Sequence, residues 1–236
     1  MRISYIKNTT KSLFWGIINK LVIILMPFII RTILIYYLGS EYAGLSSLFT
    51  SILRVLNMAE LGFAGAVVFS MYKPVAEEDT EKICALLSFY RKLYYTVGAI
   101  VMLIGIAMIP YLNFLIKGDC PSNVNLQILY LIYLVDTAAS YFLFSYKNVI
   151  LNVYQRIDIV SNISTIIHIV IYATQILVLI FLRNYYVYII LEIAYTIINN
   201  LLVARYVSKN FPQYNCKGKL KKKEKKSIIK NVYGML

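Results

Sequence analysis

Apolar residues run almost unbroken through six stretches of the chain, at about 12–37, 43–72, 93–116, 126–150, 158–182 and 185–207. Each exceeds the roughly 20 residues that a helix needs to cross a hydrocarbon core about 30 Å thick. None alternates with a period of two, which excludes a transmembrane barrel. Polar punctuation separates them: Gly39-Ser40-Glu41, Lys73 to Lys82, Lys117 to Asn125, Tyr154 to Asp158 and Arg183-Asn184. The pattern predicts an all-α integral membrane fold, with a six-transmembrane-helix bundle over 1–207 and a basic cytoplasmic tail or linker over 208–236. Ile83 to Tyr90 extend the third helix into the headgroup region, where Arg91 and Lys92 snorkel.

The first apolar stretch is too long for the h-region of a signal peptide. It also contains Lys20 and Arg31 and lacks a small-residue cleavage pattern, so it is expected to stay in the mature protein.

Composition agrees with this pattern. Of the 236 residues, 60% are hydrophobic and 15% charged, and the mean hydropathy is +0.68, values outside the soluble globular range. Six spans with short connections leave no room for a soluble catalytic domain. Cys84, Cys120 and Cys216 stand far apart and the chain has one His, so neither a disulfide framework nor a zinc site can be assembled. No cofactor is expected.

A net charge of +13 in a soluble protein would point to nucleic acid. Here ten of the 24 Lys and Arg are gathered between Arg205 and Lys230. A basic run directly after an apolar helix reads as a topology signal and an anchor to anionic membrane lipid. No nucleic-acid partner is expected. With the N-terminus inside, seventeen basic residues fall on inner segments, against Lys117 and Arg183 on outer loops. Both termini are therefore expected in the cytoplasm. Tyr36, Tyr37, Tyr42, Tyr111, Tyr185 and Tyr186 stand at segment ends, where interfacial belts form, although tyrosine-rich composition alone would also put them there.

Polar residues inside the spans carry the candidate chemistry, because an ionisable group in lipid is costly and faces a bundle interior or a wet cavity. Lys20 and Arg31 share a face of the first helix, close to Pro27. Arg54, Asn57 and Glu60 form a drifting stripe on the second. The fourth helix aligns Asp136, Ser140 and Lys147. The fifth aligns Ser161, Ser164, His168, Tyr172 and Gln175, and the sixth Glu192, Thr196 and Asn199. One shared cavity explains these wet faces better than six lipid-exposed ones. Each residue also has a plain structural reading: Lys20, Arg91 and Lys147 as snorkelling cations, His168 as an interhelical hydrogen bonder, Asp136 and Glu192 as neutralising partners for cations. The cavity candidates are Arg31, Arg54, Glu60, Asp136, His168, Gln175 and Glu192. Guanidinium groups in a semi-aqueous cavity suit anions, diphosphate above all, because they grip phosphate oxygens in bidentate fashion. No catalytic triad, metal cluster, sugar-cleaving carboxylate pair or phosphate-binding glycine loop can be assembled. An enzyme is not expected.

Arg31-x7-Gly39-x2-Tyr42-x-Gly44-Leu45, then Glu60-Leu61-Gly62-Phe63-x-Gly65-Ala66, resembles the opening helices of Wzx-type polysaccharide (O-antigen) flippases. That family is the polysaccharide transporter branch of the MATE-like superfamily. Met71-Tyr72-Lys73-Pro74 leading to an acidic loop, Phe89-Tyr90-Arg91-Lys92 and Tyr154-Gln155-Arg156 are similar to the same branch, so the resemblance spans essentially the whole chain. It implies two pseudo-symmetric six-helix lobes around a cationic cavity, alternating access, and a polyprenyl-diphosphate-linked oligosaccharide as cargo in a bacterial cytoplasmic membrane. It also implies cavity arginines on the first two helices, where Arg31 and Arg54 stand. Drug-exporting relatives carry an acidic residue in the first helix, and this chain has none there. The basic segment before Leu236 resembles the linker between lobes, so the chain is expected to supply an N-terminal lobe, completed by a second six-helix lobe or by self-dimerisation. The competing expectations are a cation-coupled small-molecule exporter and a non-transporting membrane scaffold in a polysaccharide assembly complex. A membrane-embedded glycan polymerase fits less well, for lack of a large outer loop.

Overall fold

The structure, a computed structural model, describes the backbone of residues 2–116, 121, 124–220, 224 and 228, and the side chains of these except 2–16, 18 and 58–64. Long helices dominate it. Helix α1 (Arg2–Leu38) and α2 (Ser40–Ala76) meet at Gly39, whose φ of 113° lies in a region that L side chains rarely adopt. The chain therefore reverses on a single glycine. Helix α3 (Thr80–Met108) starts on an Asp79 cap that accepts from Lys82 N at 3.0 Å. It continues through a 3-10 turn, Ile109–Tyr111, into the short α4 (Leu112–Leu115).

Helix α5 (Leu126–Phe142) and α8 (Tyr185–Asn210) both begin on an asparagine, Asn125 and Asn184, whose side chain accepts two backbone N–H groups. Such a cap satisfies donors that lipid would leave bare. Helix α7 (Ile157–Leu177) ends in a π-helical turn, Val178–Leu182, closed by Arg183 at φ 47°.

The expected fourth span, 126–150, is not one straight helix. After α5 the chain turns at Phe144, φ 60°, passes a 3-10 turn (Ser145–Lys147) and enters α6 (Asn148–Val153), bent by 42° from α5. Neither Pro nor Gly marks the break. Consequently Lys147 does not continue the Asp136–Ser140 face but crosses to α8, where its ammonium donates to Ser208 Oγ at 2.6 Å.

Among the described residues, four stretches are long and apolar enough to cross a bilayer: Asn19–Leu38, Thr80–Leu115, Ile157–Leu182 and Tyr185–Asn210. The bent pair makes a fifth if it is one broken span. Large apolar side chains face outward (Phe28 73% exposed, Phe114 83%, Phe181 76%), while Gln175, Thr165, Asn19 and Asn200 are buried. Apolar outside with polar groups inside is the arrangement lipid imposes. The described chain is thus all-helical and fits a multi-pass membrane protein.

Packing sets the site. Helix α1 lies along α7, α2 along α3, and α5 between α3 and α8. The α3–α5 seam is close because Gly98 and Gly105 stand where a Cβ would strike Tyr141 and Leu134. Glycine at such positions lets transmembrane backbones approach. After Asn210 the chain folds back onto the start of α3: Asn215 N donates to Cys84 Sγ at 3.3 Å, and Leu220 is buried.

Candidate functional site

Two neighbouring chambers open among α1, α2, α5, α7 and α8. One, of about 380 Å³, has walls that include Arg31, Ser46, Tyr172, Gln175, Tyr188 and Glu192. The other, of about 350 Å³, includes Ser46, Arg54, Asn57, Tyr133, Asp136, Tyr188 and Glu192. Ser46, Tyr188 and Glu192 belong to both. Arg31 and Gln175 thus line one chamber, Arg54 and Asp136 the other, and of these five candidates Glu192 alone borders both.

The carboxylates are held by neutral donors. Thr196 Oγ1 donates to Asp136 Oδ1 at 2.6 Å, tying α8 to α5. Gln175 Nε2 donates to Glu192 Oε1 at 2.8 Å and to the Tyr188 carbonyl at 3.3 Å, tying α7 to α8. Both neighbours of that nitrogen are acceptors, which fixes the amide orientation. Gln175 Oε1 is then buried without a partner, in a side chain that is 0% exposed.

The arginines are arranged differently. Arg31 and Arg54 are exposed in the bundle, and among the described residues neither lies within 4.0 Å of a carboxylate. Among the described residues the two guanidinium groups have no carboxylate partner, while each carboxylate accepts one side-chain hydrogen bond, on one of its two oxygens.

Two candidates stand apart. His168 stacks between Tyr195 at 3.9 Å and Tyr172 at 5.0 Å, within the α7–α8 contact, and is not part of either chamber wall. Glu60 lies in α2, but its side chain is outside the described residues. The polar stripes on α7 and α8 meet in two bonds across the helix contact, Gln175 to Glu192 and Ser164 Oγ to Asn199 Oδ1 at 2.8 Å.

Sequence reasoning missed the tyrosine network. Tyr133 OH donates to Ser46 Oγ at 2.9 Å and lies 3.0 Å from Tyr185 OH, which donates to the Tyr42 carbonyl at 3.2 Å. Tyr42 and Tyr185, placed at segment ends in expectation of a belt, instead pack edge to face 4.9 Å apart, with Tyr185 only 3% exposed. Tyr36, 81% exposed, and Tyr111, 65% exposed, keep the exposure of belt residues. A period-three-to-four check placing Tyr185, Tyr188, Glu192 and Tyr195 on one stripe was the available signal.

A larger cavity, about 780 Å³, lies between the start of α3 and the returning tail. It holds none of the candidates, and its charges partly pair, Lys82 with Glu224 at 3.6 Å. Among the described residues no three His, Cys, Asp or Glu stand together as a metal site. Neither a family model, nor a curated protein, nor a solved structure matches the chain.

Proposed function

We propose that the chain is one six-span lobe of a membrane flippase for lipid-linked oligosaccharide, set in a bacterial cytoplasmic membrane with both termini inside. The observation that carries the reading is the asymmetry of the double chamber. Two arginines from α1 and α2 lack carboxylate partners among the described residues, while Asp136 and Glu192 each accept from a neutral donor, Thr196 and Gln175. Free guanidinium groups at a cavity wall suit a diphosphate. The lining hydroxyls of Tyr133, Tyr188 and Ser46 suit sugar hydroxyls, which donate as well as accept. The resemblance of the opening helices to polysaccharide flippases points the same way. As one lobe, the chain would rock against a second six-helix bundle, or a second copy of itself, to alternate access.

Complementation tests this. Co-expressed with a second-lobe partner in a strain lacking its polysaccharide flippase, the chain restores surface polysaccharide. Arg31→Ala or Arg54→Ala abolishes restoration at unchanged membrane level. Arg→Lys at either site recovers part of it, since the charge stays and the bidentate fork is lost. Full activity of both alanine variants would contradict the reading.

A second reading, a cation-coupled small-molecule exporter, is favoured by one observation: the two carboxylates of Asp136 and Glu192 that line the chambers. Uptake of a cationic dye by inverted vesicles, lost in Glu192→Gln, would support it over the flippase.

A further inference from the structure

Where α8 leaves its span, a groove of about 410 Å³ lies between its last turns and the bend that ends α5. Its sides are Phe144, Leu201 and Leu202, all exposed large apolar residues. Its polar end is Lys147, Arg205 and Ser208. The left-handed turn at Phe144 swings Lys147 toward α8, where the ammonium is fixed by Ser208 Oγ at 2.6 Å and by the Phe144 ring, 5.5 Å away. That bond uses one of its three donors. Among the described residues neither Lys147 nor Arg205 has a carboxylate within 4.0 Å.

The depth is right for a headgroup. Helix α8 has 26 residues, about 39 Å at ~1.5 Å per residue, against a hydrocarbon core of about 30 Å. With Tyr185 at one end, its last turns emerge at the opposite boundary, where Tyr206 stands beside Arg205. We propose that this groove binds one anionic phospholipid. The phosphate sits between Lys147 and Arg205, and the first acyl methylenes lie along Phe144, Leu201 and Leu202. A zwitterionic lipid fits less well, because its ammonium would meet two cations and no described carboxylate. The site is separate from the double chamber and does not depend on what that chamber carries.

The test uses the full chain in nanodiscs of phosphatidylcholine, titrated with fluorescent phosphatidylglycerol. Saturable binding of phosphatidylglycerol, not matched by labelled phosphatidylcholine, is expected. Lys147→Ala and Arg205→Ala each weaken it about fivefold, and together about thirtyfold, the weight of one and two interfacial charges. Leu201→Trp, which keeps both charges but fills the groove, also weakens it, whereas Lys217→Ala with Lys219→Ala in the tail changes it less than twofold. Circular dichroism and a monodisperse elution profile confirm that each variant is folded. Unchanged affinity in the Lys147/Arg205 double variant, equal binding of phosphatidylcholine, or displacement by millimolar inorganic phosphate would each overturn the assignment.

Discussion

Gln175 donates its amide to Glu192 at 2.8 Å across the α7–α8 contact while its own carbonyl oxygen, fully buried, receives nothing. A buried acceptor without a donor is costly and uncommon. The same bond sets the first prediction. Gln175→Leu removes one hydrogen bond from a carboxylate that the protein buries, and costs about 1–3 kcal/mol. Gln175→Glu costs more at neutral pH, because a second carboxylate replaces the donor facing Glu192. Thermal unfolding in detergent micelles reads both. An unchanged midpoint in both variants would mean that the bond does not form.

The α3–α5 seam gives a second prediction. A Cβ on Gly98 would come within 2.7 Å of Tyr141 Cβ, an atom tied to its own backbone, so the helices must part. Gly98→Ala is expected to cost about 1–3 kcal/mol by overpacking. At Gly44 a Cβ meets nothing within 4 Å, and Gly44→Ala is neutral or slightly stabilising. Equal melting shifts for the two variants would contradict the seam.

Cysteine labelling tests topology, and the structure changes how it must be run. Cys84 is buried, and its sulfur is bonded to the returning tail. Burial pushes the Cys216 thiol above its ordinary range, against the pull of Tyr146, Arg91 and Lys147. The thiolate is the nucleophile, so Cys216 reacts slowly at pH 7 and faster as pH climbs beyond the usual thiol range. A thiol raised on folding favours the folded chain below its unfolded value, and that contribution fades as pH rises through the folded one. Labelling is therefore read at alkaline pH. An impermeant maleimide should then reach Cys216 only after permeabilisation, while Cys120, which lies outside the described residues, should label on intact cells. Labelling of Cys216 from outside would reverse the orientation.

Four of the six expected spans coincide with helices long and apolar enough to cross a bilayer, because lipid enforces long apolar runs, and Gly39 announced the α1–α2 reversal. The break at Phe144 was not legible. It replaces a helical turn without Pro or Gly, and it goes with Lys147 bonding to Ser208 on α8 and Tyr146 to Cys216 in the returning tail. For the site, Arg31, Arg54, Asp136, Gln175 and Glu192 were visible as expensive polar residues in apolar runs, and each lines one of two neighbouring chambers, Glu192 both. His168 carried the same signal, yet it stacks on Tyr172 and Tyr195, because an aromatic polar residue on a helix stripe serves packing as readily as a cavity. Tyr133 and Tyr188 were hidden by abundance: with 22 tyrosines in the chain, composition could not distinguish a cavity hydroxyl from an interfacial ring.

Arg31 and Arg54 are proposed to hold the diphosphate of a lipid-linked sugar between the two chambers. Photocrosslinking measures it most directly, using a polyprenyl-diphosphate-linked sugar with a photoreactive group beside the diphosphate, incubated with membranes containing the chain and mapped by mass spectrometry. The account predicts adducts on α1 near Arg31 and on α2 near Arg54, competed by unlabelled lipid diphosphate and lost in the Arg31→Ala/Arg54→Ala double variant. Adducts confined to outward-facing positions such as Phe114 and Phe181, or adducts at α1 and α2 that persist in the double variant, would contradict it.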